Sequence, residues 1–222
     1  MNDAESSVCA RCREARPADP VSTAAGELSR PPSAPTIPAG AGFGIRLGAR
    51  LLDLVYLILL GLVLGMVIGV VLGVLAHFGK VSPDWPQRMK QHSWSDYGLS
   101  IFAGFLYHAV AEGSGTVSIG KLICGLRVVQ TDGSPVNMEG AFIRNLAYYV
   151  DALFFGLVGY DAMKKSVLEQ RYGDRWAGTV VVKATAFQPQ PARETWEMSF
   201  GIILGSLAWA GVTVLQIALK VG

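Results

Sequence analysis

The sequence predicts an all-α membrane protein with three full transmembrane helices, one broken or re-entrant helical segment and a small cytoplasmic pair of β-strands. Composition is the first observation: 51% of the 222 residues are hydrophobic and only 16% are charged, against about 25% charged in soluble domains. The second is the apolar run of residues 51–78, whose only acidic or basic residues are Asp53 and His77. It exceeds the roughly 20 residues that cross a bilayer. The bilayer is therefore the expected partner, and the net charge of +2 does not suggest nucleic acid.

Residues 1–42 are predicted to be a disordered cytoplasmic tail. Residues 17–42 are rich in Pro, Ala, Ser and Gly, a composition that cannot bury a core, and no apolar stretch near the start resembles a signal peptide. Cys9 and Cys12 form half of a zinc-ribbon pattern without a second pair, whereas a zinc site needs four ligands. An inert pair, a metal shared between chains and redox chemistry stay open for them, and no cofactor is predicted.

The run of residues 51–78 is the first predicted transmembrane helix. Glycines recur in it at every fourth position, namely Gly61, Gly65, Gly69 and Gly73. Such a row lets another membrane helix approach closely. It predicts a packing ridge for a second copy or for another membrane subunit, although membrane helices also tolerate glycine in general.

A second span is predicted from Ser95 to Ala111, with Ser95 or Asp96 as its N-cap. His108 and Glu112 lie one helical turn apart near its end. These two residues either form a proton or ion site or lie where the helix meets water.

The last predicted transmembrane helix runs from Met198 to Leu219, with Gly201, Gly205 and Gly211 available for close packing. It belongs to a segment, residues 185–222, that consists of a linker and this helix. Residues 43–184 form the predicted membrane domain between the tail and that segment.

Two strand-like runs, residues 126–130 and 178–183, are expected to pair, since isolated short strands are unstable. Pairing requires both on one side of the membrane, yet residues 141–163 between them are long enough to cross. With the N-terminus and both strands in the cytoplasm, 15 of 19 Lys and Arg lie inside; a full crossing gives ten inside. The positive-inside rule thus favours a broken or re-entrant segment that turns near Gly156–Gly159, in the cell inner membrane.

Charged residues stand at the head of the first helix. Arg46, Ala49, Arg50 and Asp53 fall along one helical stripe, and Arg50 is close enough to pair with Asp53. A carboxylate inside hydrocarbon costs about 2–3 kcal/mol unless it is paired or hydrated. The stripe is either a salt bridge that anchors the helix end, with Arg50 reaching the interface, or part of a functional charge cluster.

Four blocks in order between residues 46 and 182 resemble the RDD family of bacterial integral membrane proteins. The first is the R-x-x-A-x-x-x-D pattern of Arg46 to Asp53, and the second is SIGKLICGLRVVQTDGSPV at residues 118–136. The third is Arg144-Asn145-Leu146, and the fourth is YGDRWAGTVVV, which makes Asp174 the second aspartate. Gly173 departs from the pattern, because many members have histidine there.

We predict a charge network near the cytoplasmic leaflet, composed of Arg46, Asp53, Arg144 and Asp174, with Arg50, Lys121 and Arg127 in support. This network would either hold the strand pair against the helix bundle or gate a cation path for transport. We expect Asp53 to face Arg46 or Arg144, and Asp174 to accept bonds from backbone amides or an arginine. The family has a suspected role in transport, and exchange of monovalent cations for protons has been proposed for some members.

Two functions follow as hypotheses. The first is a small transporter, or a transporter subunit, for monovalent cations or another small solute. The second is a non-transporting scaffold or accessory subunit of a larger membrane complex. An enzyme is not expected, because the sequence has no Ser/His/Asp set and its three histidines are scattered.

Overall fold

Two long apolar helices frame the protein. In the computed structural model, which describes residues 38–186 and 195–221, helix α1 spans Phe43–His77 and helix α8 spans Thr195–Val221. Both are long and apolar enough to cross a membrane. The 35 residues of α1 extend about 52 Å, which exceeds the hydrocarbon thickness of about 30 Å. The predictions for Cys9, Cys12 and the disordered tail before residue 38 lie outside the described residues.

Helix α3, residues Trp94–Gly115, corresponds to the second predicted span. Its N-cap is Ser93 rather than Ser95 or Asp96, because the Asp96 carboxylate reaches back and accepts the backbone N–H of Ser93 at 2.8 Å, as in a capping box. The composition of α3 does not by itself identify it as a membrane span. The number of three full spans therefore stays a prediction.

Helices α3 and α8 pack through glycines. A Cβ atom added to Gly201 would lie 2.5 Å from the backbone nitrogen of Gly115, and one added to Gly205 would lie 2.7 Å from the carbonyl oxygen of Tyr107. The two backbones are therefore in direct contact. This confirms the close packing predicted for Gly201 and Gly205 but not for Gly211, which has open space around it.

The glycine row of α1 meets α8 at one end only. A Cβ atom added to Gly61 would lie 3.4 Å from the Trp209 ring, whereas none of the described atoms lies within 4 Å of such an atom at Gly65, Gly69 or Gly73. Packing of these three positions against another chain stays a prediction.

The predicted strand pair is confirmed. Strands β1, Leu126–Gln130, and β2, Thr179–Lys183, form a two-stranded antiparallel sheet in which Val128 lies opposite Val181. The sheet packs in a buried cluster with Ala49 of α1. The sheet is thus attached to the first turns of the first membrane helix.

The third apolar segment is broken, as predicted. Helices α5, Met138–Asp151, and α6, Leu153–Lys164, meet at an angle of 115°. The break lies at residues 152–156, just before the predicted turn, and Phe154, Phe155 and Gly156 there have positive φ angles. Three short helices complete the described part of the chain: α2 (Trp85–Lys90), α4 (Ile119–Ile123) and α7 (Tyr172–Trp176).

Replacing Gly201 with alanine should lower the free energy of unfolding by about 1–3 kcal/mol, because the added methyl group forces α3 and α8 apart. The matched control is Gly211→Ala on the same helix, which adds the same methyl group in open space. Thermal unfolding in detergent micelles measures both. Equal stability of the two variants would contradict the backbone contact.

Candidate functional site

A buried carboxylate, Asp174, lies in the first turn of α7 and is surrounded by three guanidinium groups. Its Oδ2 atom is 2.6 Å from Nη1 of Arg46 and 3.5 Å from Nε of Arg171, and its Oδ1 atom is 3.1 Å from Nη2 of Arg144. The backbone N–H of Arg171 also donates to it, at 3.3 Å. Asp174 thus accepts hydrogen bonds from Arg46 and from a backbone amide, as predicted, and its ion pairs connect α1, α5 and α7.

The surroundings keep Asp174 ionised. Burial alone would raise the pKa of this carboxyl group, but Arg171, Arg144 and Arg46 outweigh burial and hold the pKa well below its usual range. Because this pKa lies below the physiological pH range, Asp174 remains a carboxylate throughout that range. The stability that its ion pairs contribute is lost only when the pH falls through the lowered pKa.

Arg46 connects Asp174 to two backbone carbonyl groups, one before α1 and one between α6 and α7. Its Nε–H donates to the carbonyl of Ala41 at 2.6 Å, and its Nη2 group donates to the carbonyl of Glu169 at 2.9 Å. The planar fork of an arginine can hold all these acceptors at once, whereas a lysine ammonium offers no such geometry. Arg46 therefore holds the residues that precede α1 next to the segment that connects α6 and α7.

A second buried carboxylate, Glu112 of α3, lies beside the first. It forms an ion pair with Lys121 of α4, lies 3.3 Å from Nε of Arg144, and accepts a hydrogen bond from the Asn145 side chain at 3.1 Å. Arg144 thus lies between Glu112 and Asp174. Burial lowers the pKa of Lys121 to about 8, although the Glu112 carboxylate opposes this shift.

Asp53 has a different environment, and the prediction that it faces Arg46 or Arg144 is wrong. Its carboxylate accepts the Ser118 hydroxyl and the Gly120 backbone N–H, both at 2.7 Å, and the Tyr107 hydroxyl at 3.2 Å. Asp53 follows Arg46 by seven residues, roughly 10.5 Å along the helix. At that level α1 meets the start of α4 instead of α7.

Helix α4 can lie there because Gly120 has no side chain. A Cβ atom at Gly120 would overlap the carbonyl of Ala49 and lie 3.0 Å from the carboxyl carbon of Asp53. The imidazole of His108 completes this environment, with Nδ1 3.8 Å from the Asp53 carboxylate. His108 therefore faces Asp53, whereas Glu112 is paired with Lys121. The two do not form a joint proton or ion site, which was one of the two interpretations of this pair.

Two of the supporting cations lie elsewhere than expected. The guanidinium of Arg50 stacks over the Tyr148 ring at 4.0 Å, a cation–π contact, instead of pairing with Asp53. Arg127 lies on β1 opposite Val182, outside the buried charge cluster. Lys121 is the supporting residue that enters the cluster.

A cavity of about 210 Å³ lies between α1, α4, α5 and α6. Two carboxylates line it, Asp53 and Asp151. Asp151 accepts the backbone N–H groups of Tyr172 and Gly173, each at 3.2 Å. The lining also includes four cations: Arg46, Arg50, Lys121 and Arg171. Among the described residues no cluster of three or more acidic, His or Cys side chains has the arrangement of a metal site.

The model of the RDD family matches residues 40–178, which hold both ion-paired carboxylates and the cavity residues up to Arg171. The chain belongs to the RDD family. Comparison with curated proteins and with solved structures gives no match for this RDD protein. The match confirms the resemblance drawn from the four sequence blocks.

The sequence did not single out Asp151 and Arg171 of this RDD protein. Asp151 had a signal, because it is an acid within the apolar segment 141–163. Gly173 explains the departure from the family pattern: a Cβ atom there would lie 2.9 Å from Cβ of Ala147. The small residue lets α7 lie directly against α5, where a histidine has no space.

Replacing Asp174 with asparagine should lower the free energy of unfolding by about 3–5 kcal/mol, because three buried guanidinium groups lose their counter-charge. Asp161→Asn is the control, since Asp161 is exposed and pairs only with Lys165 on the surface, where ion pairs contribute little. Unfolding in micelles, followed by circular dichroism, compares the two. A stable Asp174→Asn variant would contradict the proposed role of the carboxylate in holding the helices together.

Proposed function

We propose that this RDD protein is a small transporter for monovalent cations, with Asp53 and Asp151 as the carboxylates that bind the cation. One observation carries the proposal. Both carboxylates line the cavity, and the hydrogen bonds that the described residues give them come from hydroxyl and backbone N–H groups.

The buried charges divide into two sets. Glu112 and Asp174 form the ion pairs with Lys121, Arg46, Arg144 and Arg171. Among the described residues no Lys or Arg lies within ion-pair distance of Asp53 or Asp151. A cation that enters the cavity would therefore find two carboxylates whose charge is not already matched by direct contact.

The atoms around Asp53 suit a hard cation. Each oxygen of the carboxylate accepts one hydroxyl group, Oδ1 that of Tyr107 at 3.2 Å and Oδ2 that of Ser118 at 2.7 Å, so four oxygen atoms lie close together. Oxygen ligands are those that hard cations prefer. Both hydroxyl groups donate to Asp53 now, and rotation of their O–H bonds would turn lone pairs toward a cation.

The position of Asp53 along α1 favours access from one face of the membrane. It lies ten residues from the start of α1, about 15 Å, and the apolar run that follows it to residue 78 is longer than the hydrocarbon needs. Asp53 thus lies at one boundary of the hydrocarbon. We propose that this boundary is the cytoplasmic face of the inner membrane, since that orientation places 15 of 19 Lys and Arg inside.

A second candidate function is that of an accessory subunit or scaffold. It is favoured by the open space at Gly65, Gly69 and Gly73, which would let a helix of a second copy or of another membrane protein approach α1 closely.

Asp53→Asn should reduce cation-driven proton movement to the level of empty liposomes, because the neutral amide cannot balance a bound cation. Asp151→Asn should lower the flux as well, since it removes the second cavity carboxylate. The assay follows a pH-sensitive dye in proteoliposomes under Na⁺, K⁺ or Li⁺ gradients. The control, Asp161→Asn, removes an exposed acid outside the cavity and should keep the wild-type flux. Wild-type flux no greater than that of empty liposomes would reject transport and leave the accessory role.

The orientation is tested by labelling single cysteines in a cysteine-free background. Val167→Cys lies on the highly exposed connection after α6, and Lys90→Cys lies at the end of α2. A membrane-impermeant thiol reagent applied to intact cells should label position 90 alone, because position 167 faces the cytoplasm. Labelling at both positions would show that α5 and α6 cross the membrane completely, and labelling at 167 alone would show the reverse of the proposed orientation.

A further inference from the structure

A groove separates α1 and α8 toward their C-terminal ends. The helices touch earlier, where the hydroxyl groups of Tyr56 and Ser206 are 2.8 Å apart and Gly61 lies against Trp209. Beyond these contacts lies a groove of about 720 Å³, within the range of small-molecule sites. Its walls are aliphatic: Ile68, Val71 and Leu72 on α1, and Val214, Ile217, Ala218 and Val221 on α8.

The rim of this groove is positively charged. Lys80 and Arg88 line it, together with the Ser82 hydroxyl, and no acidic side chain of the described residues is part of the lining. Arg88 uses its Nε–H for Asp84, at 3.1 Å, so the terminal N–H groups of its guanidinium remain for another acceptor. None of the described acids forms an ion pair with Lys80.

The turn after α1 fixes the position of Lys80. Gly79 has a φ of +67°, and the backbone N–H of Lys80 donates to the carbonyl of Leu75 at 2.8 Å, as in a Schellman motif. The chain therefore folds back at the helix end and leaves Lys80 at the mouth of the groove. This is also the end of both helices that are apolar enough to cross the membrane, the level at which lipid headgroups lie.

We propose that the groove binds one anionic phospholipid, with an acyl chain between α1 and α8 and the headgroup phosphate on Lys80 and Arg88. The two parts of the groove match the two parts of such a lipid. Aliphatic walls take the hydrocarbon chain. Lys80, together with the terminal N–H groups that Arg88 does not use for Asp84, favours a headgroup with net negative charge over a zwitterionic one. The site is separate from the cavity at Asp53 and does not depend on transport.

The test uses the full-length protein in detergent with equal amounts of phosphatidylglycerol and phosphatidylcholine that carry the same acyl chains. Native mass spectrometry counts the bound lipids. We expect one retained phosphatidylglycerol. Each cation near an anionic headgroup contributes a factor of about five, so Lys80→Gln or Arg88→Gln should lower the ratio of bound phosphatidylglycerol to phosphatidylcholine about fivefold. The double variant should lower it about thirtyfold.

Two further variants make the test specific. Lys90→Gln is the control. Lys90 lies on α2, as Arg88 does, but it does not line the groove, so this variant should keep the wild-type ratio. Ala218→Trp should fill the groove and expel the lipid. Equal binding of both lipids by the wild type, an unchanged ratio in the double variant, or a retained phosphatidylglycerol in Ala218→Trp would each overturn the proposal.

Discussion

The rest of the structure depends on the neutralisation of Asp174 by arginines from different parts of the chain. A buried carboxylate is costly unless its partners are also in place, and the partners here come from α1, α5 and the residue before α7. Arg144 extends the same network to Glu112 on α3, and Lys121 extends it to α4. Five helices and the attached sheet are therefore arranged around a single set of opposite charges, and the cavity beside Asp53 exists because this set fixes its walls.

The two aspartates that resemble the family pattern have different chemical environments. Asp174 is surrounded by guanidinium groups and stays ionised, so it is suited to hold helices together. Asp53 is held by hydroxyl and amide donors, so none of the described Lys or Arg side chains neutralises its charge by direct contact. Under the proposed function, this carboxylate would exchange its hydroxyl and amide donors for a cation.

Much of the fold was predictable from the sequence, because it rests on local and compositional signals. The apolar run after Asp53 specified α1, the β-rich runs at 126–130 and 178–183 specified the sheet, and their need to pair led to the broken segment between α5 and α6. The partners of the charges were not predictable in the same way. Helical periodicity places Arg46 and Asp53 on one stripe, but it does not reveal that each faces a different neighbouring element. Asp53 meets α4 only because Gly120 permits close contact, and such a contact depends on tertiary packing.

The entry of the chain into α1 has a mechanical consequence. Ala41 donates its backbone N–H to Val181 of the sheet at 2.7 Å, and its carbonyl accepts the Nε–H of Arg46 at 2.6 Å. Tension on the segment that precedes Ala41 would thus be transmitted to a guanidinium group that neutralises Asp174. A binding event that pulls on the residues before Ala41 would therefore act on Arg46 and, through it, on Asp174.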